Sequence, residues 1–300
     1  MGTIQRAAIG FAGMFLLFSL YVFAQPPLEA VSAARYTKLA DITYASVGER
    51  ELGLDLYMPQ GVDNPQLLVW VHGGRWLHRT KEDVFTLELV GEGFAMASID
   101  FRLSVEAPFP AQVHDIKAAI RFLRANASRY GYNATRIGIH GRSSGGHLTA
   151  LIGVTNGHEE LEGELGDHLD QSSDVQVVVS YFGASNLTSI LDQSTPFGVG
   201  LRGPALALLL GGPLEAKMDL AKLASPVFHV DSTDPPLLLL HGDQDPQMPI
   251  NQAHELHGVY KELNLPVHFE VIHGAAHGTE EFFDSKRNAL VAAFLKENLR

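Results

Sequence analysis

Two kinds of apolar spacing alternate along most of this chain. Continuous apolar runs occur at 67–71 (LLVWV), 94–99 (FAMASI), 136–140 (RIGIH), 175–181 (VQVVVSY), 236–241 (PLLLLH) and 267–272 (VHFEVI). A run that stays apolar at every position suits a strand buried on both faces, as in a parallel sheet. An earlier pair, 42–46 and 52–58, alternates apolar and polar positions more strictly and predicts an antiparallel hairpin. Between the runs the spacing becomes helical. Residues 111–129 place Val113, Ile116, Ala119, Ile120 and Leu123 on one stripe, and residues 282–299 do the same with Phe283, Leu290, Val291, Phe294 and Leu295. Strand and helix in alternation predict an α/β fold with a mostly parallel central sheet and helices on both faces. The segment 184–230, rich in Leu, Gly and Pro, breaks this rhythm. It is too long for an ordinary connection and reads as a small cap-like insertion over the strand ends.

Composition narrows the function. Of 300 residues, 46% are hydrophobic and 19% charged, which supports a well-buried core and excludes general disorder. The formal net charge of -12 argues against a nucleic-acid partner. The chain has no cysteine, which removes disulfides, thiolate metal sites and a cysteine nucleophile together. At the start, Arg6 precedes an uncharged, mostly apolar stretch at 7–24. Val22-Phe23-Ala24 fits a small-x-small cleavage site, and Pro26-Pro27 follow. Residues 1–24 therefore read as a signal peptide, and residues 25–300 as one α/β domain. The expectation is a secreted or periplasmic protein. The competing reading is an uncleaved membrane anchor, since the apolar stretch is near the shortest length that spans a bilayer.

In open parallel sheets, ligands gather at the carboxyl ends of the strands. After 136–140 comes Gly141-Arg142-Ser143-Ser144-Gly145, a G-x-S-x-G pattern that puts a serine on a sharp strand-to-helix turn. The two flanking glycines let strand and helix approach closely. Centring the pattern on Ser143 puts Gly141 and Gly145 at the crowded positions, whereas centring it on Ser144 would put Arg142 at one of them. Ser143 is thus the expected nucleophile, with Ser144 contributing its backbone N–H to an oxyanion. After 67–71 comes His72-Gly73-Gly74-Arg75-Trp76, where Gly73 and Gly74 allow backbone N–H groups to face a pocket. Arg75 can donate its own N–H there only if the position needs no positive φ. After 236–241, Asp243 and Asp245 compete to orient an imidazole. After 267–272, His273 and His277 compete to be that imidazole. The chain order Ser, Asp, His with an upstream glycine loop predicts a serine hydrolase.

From about residue 44 onward the chain resembles the α/β-hydrolase superfamily, in its secreted carboxylesterase and acetyl-esterase branch related to hormone-sensitive lipase. The resembling stretches are HGGRW, FRLSVEAPFPAQVHDIKAAIRFLRANASRYG, GRSSGGHL, ASPVFHV, HGDQDPQMP and HGAAHG. The resemblance implies an α/β-hydrolase fold with Ser143 as nucleophile, Asp245 in the HGxxD position and His277 as base. The expected oxyanion hole is built from Gly73, Gly74 and Ser144, and neither a cofactor nor a metal is expected. Two residues depart from the pattern: Arg75 replaces a glycine, and Arg142 stands where acidic or small residues are usual. These arginines either favour an anionic substrate or point to solvent, and solvent is the expectation.

The resulting expectation is hydrolysis of a small-molecule or polysaccharide-linked carboxylic ester through an acyl-enzyme. A peptidase or lactonase with the same three residues is the alternative, and a non-catalytic binding protein a further one. His254 and His257 lack the H-E-x-x-H spacing and read as exposed helix residues. Asp115 on the long helix reads as structural.

Overall fold

The computed structural model describes residues 36–300. The expected cleavage site and apolar stretch at 1–24 lie outside the described residues. Eight strands form one sheet: β1 Tyr36–Val47, β2 Arg50–Pro59, β3 Gln66–Val71, β4 Ala95–Ile99, β5 Asn133–Arg142, β6 Val177–Tyr181, β7 Leu237–Gly242 and β8 Val267–Ile272. Their order is β1-β2-β4-β3-β5-β6-β7-β8. Strand β2 runs antiparallel to both its neighbours, and all the remaining pairs are parallel. This is the α/β architecture that the alternating pattern predicts.

The continuous apolar runs resolve into two sets with the period of a strand. Leu67, Val69 and Val71 of β3 join Ala95, Ala97 and Ile99 of β4 and Ile137 and Ile139 of β5 in one core. Leu68, Trp70, Met96, Val177, Val179, Leu238 and Leu240 point the other way into a second core. The helix Ala111–Ala125 seals the first core with Val113, Ile116, Ala119, Ile120 and Leu123. The helix Ser285–Asn298 seals the second with Val291, Ala292 and Leu295. Asp115 is fully buried on the first of these helices, where Arg102 grips both its oxygens, Nη2 to Oδ1 at 2.6 Å and Nε to Oδ2 at 2.9 Å.

Element ends differ from the sequence expectation for local reasons. The helix expected over 111–129 stops at Ala125, and a separate turn spans Ala127–Tyr130. Asn126 takes the Phe122 carbonyl with its side chain at 2.9 Å, competing with the backbone ladder. The last helix starts at Ser285 rather than 282, because Asp284 caps it by accepting from the Arg287 N–H at 2.8 Å. Within 184–230 the chain forms helices Pro196–Leu210 and Met218–Leu223 with short 3-10 turns beside them. Thr195 caps the longer helix by accepting from the Gly198 N–H at 3.1 Å, and Pro196 opens its first turn.

Candidate active site

The loops that leave the carboxyl ends of β3, β5, β7 and β8 converge on Ser143. This serine occupies the turn between β5 and the helix Ser144–Gly153, with φ 53° and ψ −120°. Such a backbone costs a non-glycine residue about 1–3 kcal/mol and persists only where the surroundings enforce it. They do so here by close packing. A Cβ on Gly141 would sit 2.6 Å from Thr149 Oγ1 and 2.7 Å from the Val71 carbonyl oxygen. A Cβ on Gly145 would sit 2.2 Å from that same oxygen. The helix start is thus pressed against the end of β3, which is the physical reason for glycines on both sides of Ser143. The Ser143 N–H donates to the Tyr181 carbonyl at 2.9 Å, tying the turn to β6 as well.

Three side chains form one hydrogen-bonded line. The Ser143 hydroxyl donates to His277 Nε2 at 2.9 Å, and His277 Nδ1–H donates to Asp245 Oδ2 at 2.6 Å. Asp245 Oδ1 accepts the Gln247 and Met248 N–H groups, each at 2.8 Å. Burial alone would raise the Asp245 carboxyl. The contacts from His241 and His277 and the Met248 N–H outweigh it, holding the group well below the usual carboxylate range. An ionised Asp245 keeps the proton on Nδ1 and leaves Nε2 free to accept from Ser143. The other two competitors meet each other instead. His273 Nδ1 contacts Asp243 Oδ2 at 2.7 Å, and the Gly274 N–H donates to Asp243 Oδ1 at 2.8 Å, in a solvent-exposed pair joining the ends of β7 and β8.

Ser144 is the first residue of its helix, so its N–H has no intrahelical acceptor. Its own hydroxyl is buried and makes no hydrogen bond. Gly73 packs on the turn itself, since a Cβ there would lie 2.9 Å from the Arg142 carbonyl oxygen and 3.4 Å from Ser143 Cβ. Gly74 has φ 106°, and a Cβ would lie 2.0 Å from the His78 carbonyl oxygen. Its carbonyl accepts from the Leu77 N–H at 3.0 Å and the His78 N–H at 3.2 Å, closing the turn. Arg75 and Trp76 continue it at φ 58° and φ 62°. The condition attached to Arg75 is therefore not met. The position does adopt the left-handed region, which costs a residue with a Cβ about 1–2 kcal/mol.

Arg142 does not point to solvent. Its guanidinium donates to Asp83 Oδ2 at 2.8 Å and lies 3.7 Å above the Phe85 ring, pinning the 79–85 loop beside the serine turn. Its charge is already used, so it is not the free cation that an anionic substrate would need.

Spacing in the sequence did not point to several side chains that complete the site. Phe182, just after β6, packs edge-on against the His277 ring at 4.7 Å. Trp76 Nε1–H donates to His147 Nδ1 at 3.2 Å, and His147 Nε2–H donates to the Ala224 carbonyl at 2.6 Å. His147 thereby anchors the 184–230 segment to the serine helix. A small pocket opens over Ser143 and His277, with Trp76, Leu201, Arg202 and Met248 around it. Apolar walls, a hydroxyl polarised by an imidazole and unpaired N–H groups equip this pocket for acyl transfer. His254 and His257 lie elsewhere, against Phe269, at ring distances of 5.1 and 5.7 Å.

Comparisons with known proteins bear on the family and the fold. Residues 54–260 match the BD-FAE family. The chain is 31% identical over 190 residues to Esterase LipC of Mycobacterium tuberculosis, covering 62% of this chain and 46% of LipC. It is 27% identical over 273 residues to the probable carboxylic ester hydrolase LipM of the same organism, covering 89% of this chain and 61% of LipM. The chain thus spans about half the length of these curated relatives. A solved structure, the truncated form of a carbohydrate esterase from gut microbiota, superposes with a TM-score of 0.80 at 32% identity, covering 89% of this chain and 98% of that one. With the family match spanning most of the folded domain and this structure followed almost end to end, the chain belongs to the BD-FAE family of α/β-hydrolases.

Proposed function

We propose that this protein is a serine esterase that cleaves carboxylic esters through an acyl-enzyme. The observation that carries this reading is the unbroken line from Ser143 Oγ through His277 to Asp245, at 2.9 and 2.6 Å. Ser143 attacks the ester carbonyl while His277 Nε2 takes its proton. Asp245 stabilises the imidazolium that forms, and His277 then returns the proton to the departing alcohol. The N–H groups of Gly73, Gly74 and Ser144 receive the oxyanion, in a site where such donors are worth about 10²–10³ in kcat each. Water repeats the cycle on the acyl-enzyme and releases the acid. Strain at Ser143 supports the assignment, because a backbone at φ 53° is retained where function requires the side chain to project.

The names of the relatives support an ester rather than a peptide substrate, and the carbohydrate esterase among the solved structures supports an ester borne on a sugar. Labelling with a fluorophosphonate probe tests the reading. Wild type and Ser144→Ala should label and hydrolyse p-nitrophenyl acetate, whereas Ser143→Ala should do neither. Labelling retained in Ser143→Ala would refute it. We also propose export, from the charge and apolar pattern of residues 1–24. A mature N-terminus near Gln25 by mass spectrometry is the expected result, and a full-length chain in the membrane fraction would instead show an anchor.

A further inference from the structure

Arg202 projects from the helix Pro196–Leu210 into the pocket that Ser143 and His277 line. The residue is 5% exposed. Burial draws its guanidinium down to about 10, against the field of Asp245, and it remains fully charged at neutral pH. Its partners among the described residues are poor. Nε donates to Ser194 Oγ at 3.3 Å, and Nη1 lies 3.7 Å from the Met248 sulfur, a weak acceptor. Among the described residues, Nη2 donates to nothing.

Other arginines with little exposure each hold a carboxylate. Arg102 pairs with Asp115, Arg121 with Glu162 and Arg142 with Asp83. Asp245 is not the missing partner, because the Gln247 and Met248 N–H groups and His277 already take up its oxygens. A buried charge without a partner is strongly unfavourable. A fold that keeps one beside its nucleophile has a guanidinium ready for a ligand. Arg75, which lines the same pocket and is exposed, adds a second positive charge.

We propose that Arg202 determines specificity by receiving an ionised carboxylate of the substrate, so that the preferred esters carry an anionic group near the scissile bond. The inference rests on the esterase reading above. A planar guanidinium and a carboxylate match in shape and charge, and form short, charge-assisted hydrogen bonds. The carboxylate belongs to the acid half or to the alcohol half of the ester, and the test separates the two. Monoethyl succinate carries the charge on the acid half and acetoxyacetate on the alcohol half. Ethyl succinamate and 2-acetoxyacetamide are their neutral counterparts.

At least one anionic ester should exceed its neutral counterpart by about tenfold or more in kcat/KM, mainly through KM. Arg202→Met should bring that ratio to near unity, and Arg202→Lys should restore part of it. Ratios near one for both pairs in the wild type would overturn the inference while leaving the esterase reading intact. A preference that survives Arg202→Met would overturn the assignment to Arg202. A second measurement needs neither turnover nor a folded variant: succinate should slow fluorophosphonate labelling of wild-type Ser143 at concentrations where succinamide does not. Equal protection by the two would refute the proposal. Absence of both labelling and ester hydrolysis would instead sink the esterase reading itself.

Discussion

Gly145→Ala separates the packing of the site from its chemistry. The added methyl would be placed 2.2 Å from the Val71 carbonyl oxygen and 2.4 Å from that of His72. Non-bonded heavy atoms settle at about 3.5 Å, so strand and helix must part by about 1 Å. The atoms that move are either the end of β3, which carries Gly73 and Gly74, or the helix start, which carries Ser143 and Ser144. In both cases the oxyanion donors lose their register with the nucleophile. A misplacement of about 1 Å costs about 10²-fold in rate, and overpacking costs about 1–3 kcal/mol in stability. Gly258→Ala is the matched control. It lies inside the helix Asn251–Glu262 with nothing within 4 Å of the new methyl. There the same substitution should stabilise by about 0.5–1 kcal/mol and leave kcat/KM within about twofold. Hydrolysis of p-nitrophenyl acetate and thermal unfolding, measured on both variants, decide the matter. If Gly145→Ala keeps wild-type Tm and more than about a third of wild-type kcat/KM, the close approach of strand and helix does not hold the site together.

Further outcomes follow from the same geometry. Ser143→Ala should lower kcat by about 10⁴-fold, whereas Ser144→Ala, whose hydroxyl makes no hydrogen bond, should lower it less than about tenfold. The reverse ranking would mean that the motif is centred on the other serine. Asp245→Asn should lower kcat by about 10⁴-fold near pH 7 by favouring the wrong tautomer of His277, and an effect below about tenfold would remove Asp245 from the mechanism. Stability should fall on acidification. Burial draws His72 to about 4, His140 to about 3 and His147 to about 4. Unfolded imidazoles titrate near about 6.5, so below that pH the unfolded chain binds more protons than the folded one and stability declines down to about pH 4. Calorimetry should show Tm lower near pH 5 than near pH 7, and an unchanged Tm would mean that these imidazoles are not held neutral.

Much of the fold was legible because it rests on local spacing. The runs of β3, β6 and β7 are apolar at consecutive positions and so present apolar side chains on both faces, and each became a central strand. Element ends were less legible. Asn126 and Asp284 end and begin helices through single side-chain hydrogen bonds that apolar periodicity does not register. Gly141 and Gly145 pointed to Ser143 because crowding at a strand-to-helix turn is a local matter, readable within five residues.

The spacing of residues determined the alternation of strand and helix, the glycine-flanked serine turn and the set of chemical groups at the strand ends. Which of those groups meet was decided by the tertiary structure. Asp243 and Asp245 are two residues apart, yet one pairs with exposed His273 and the other lies buried beside His277. Arg142 found Asp83, 59 residues away, and Arg202 found no carboxylate among the described residues. Partner choice among charged side chains depends on distance and burial, both set by how β3, β5, β7 and β8 align their ends. Hydrophobic spacing dictates that these strands lie side by side, and it carries no record of which charge each loop brings within 3 Å of another.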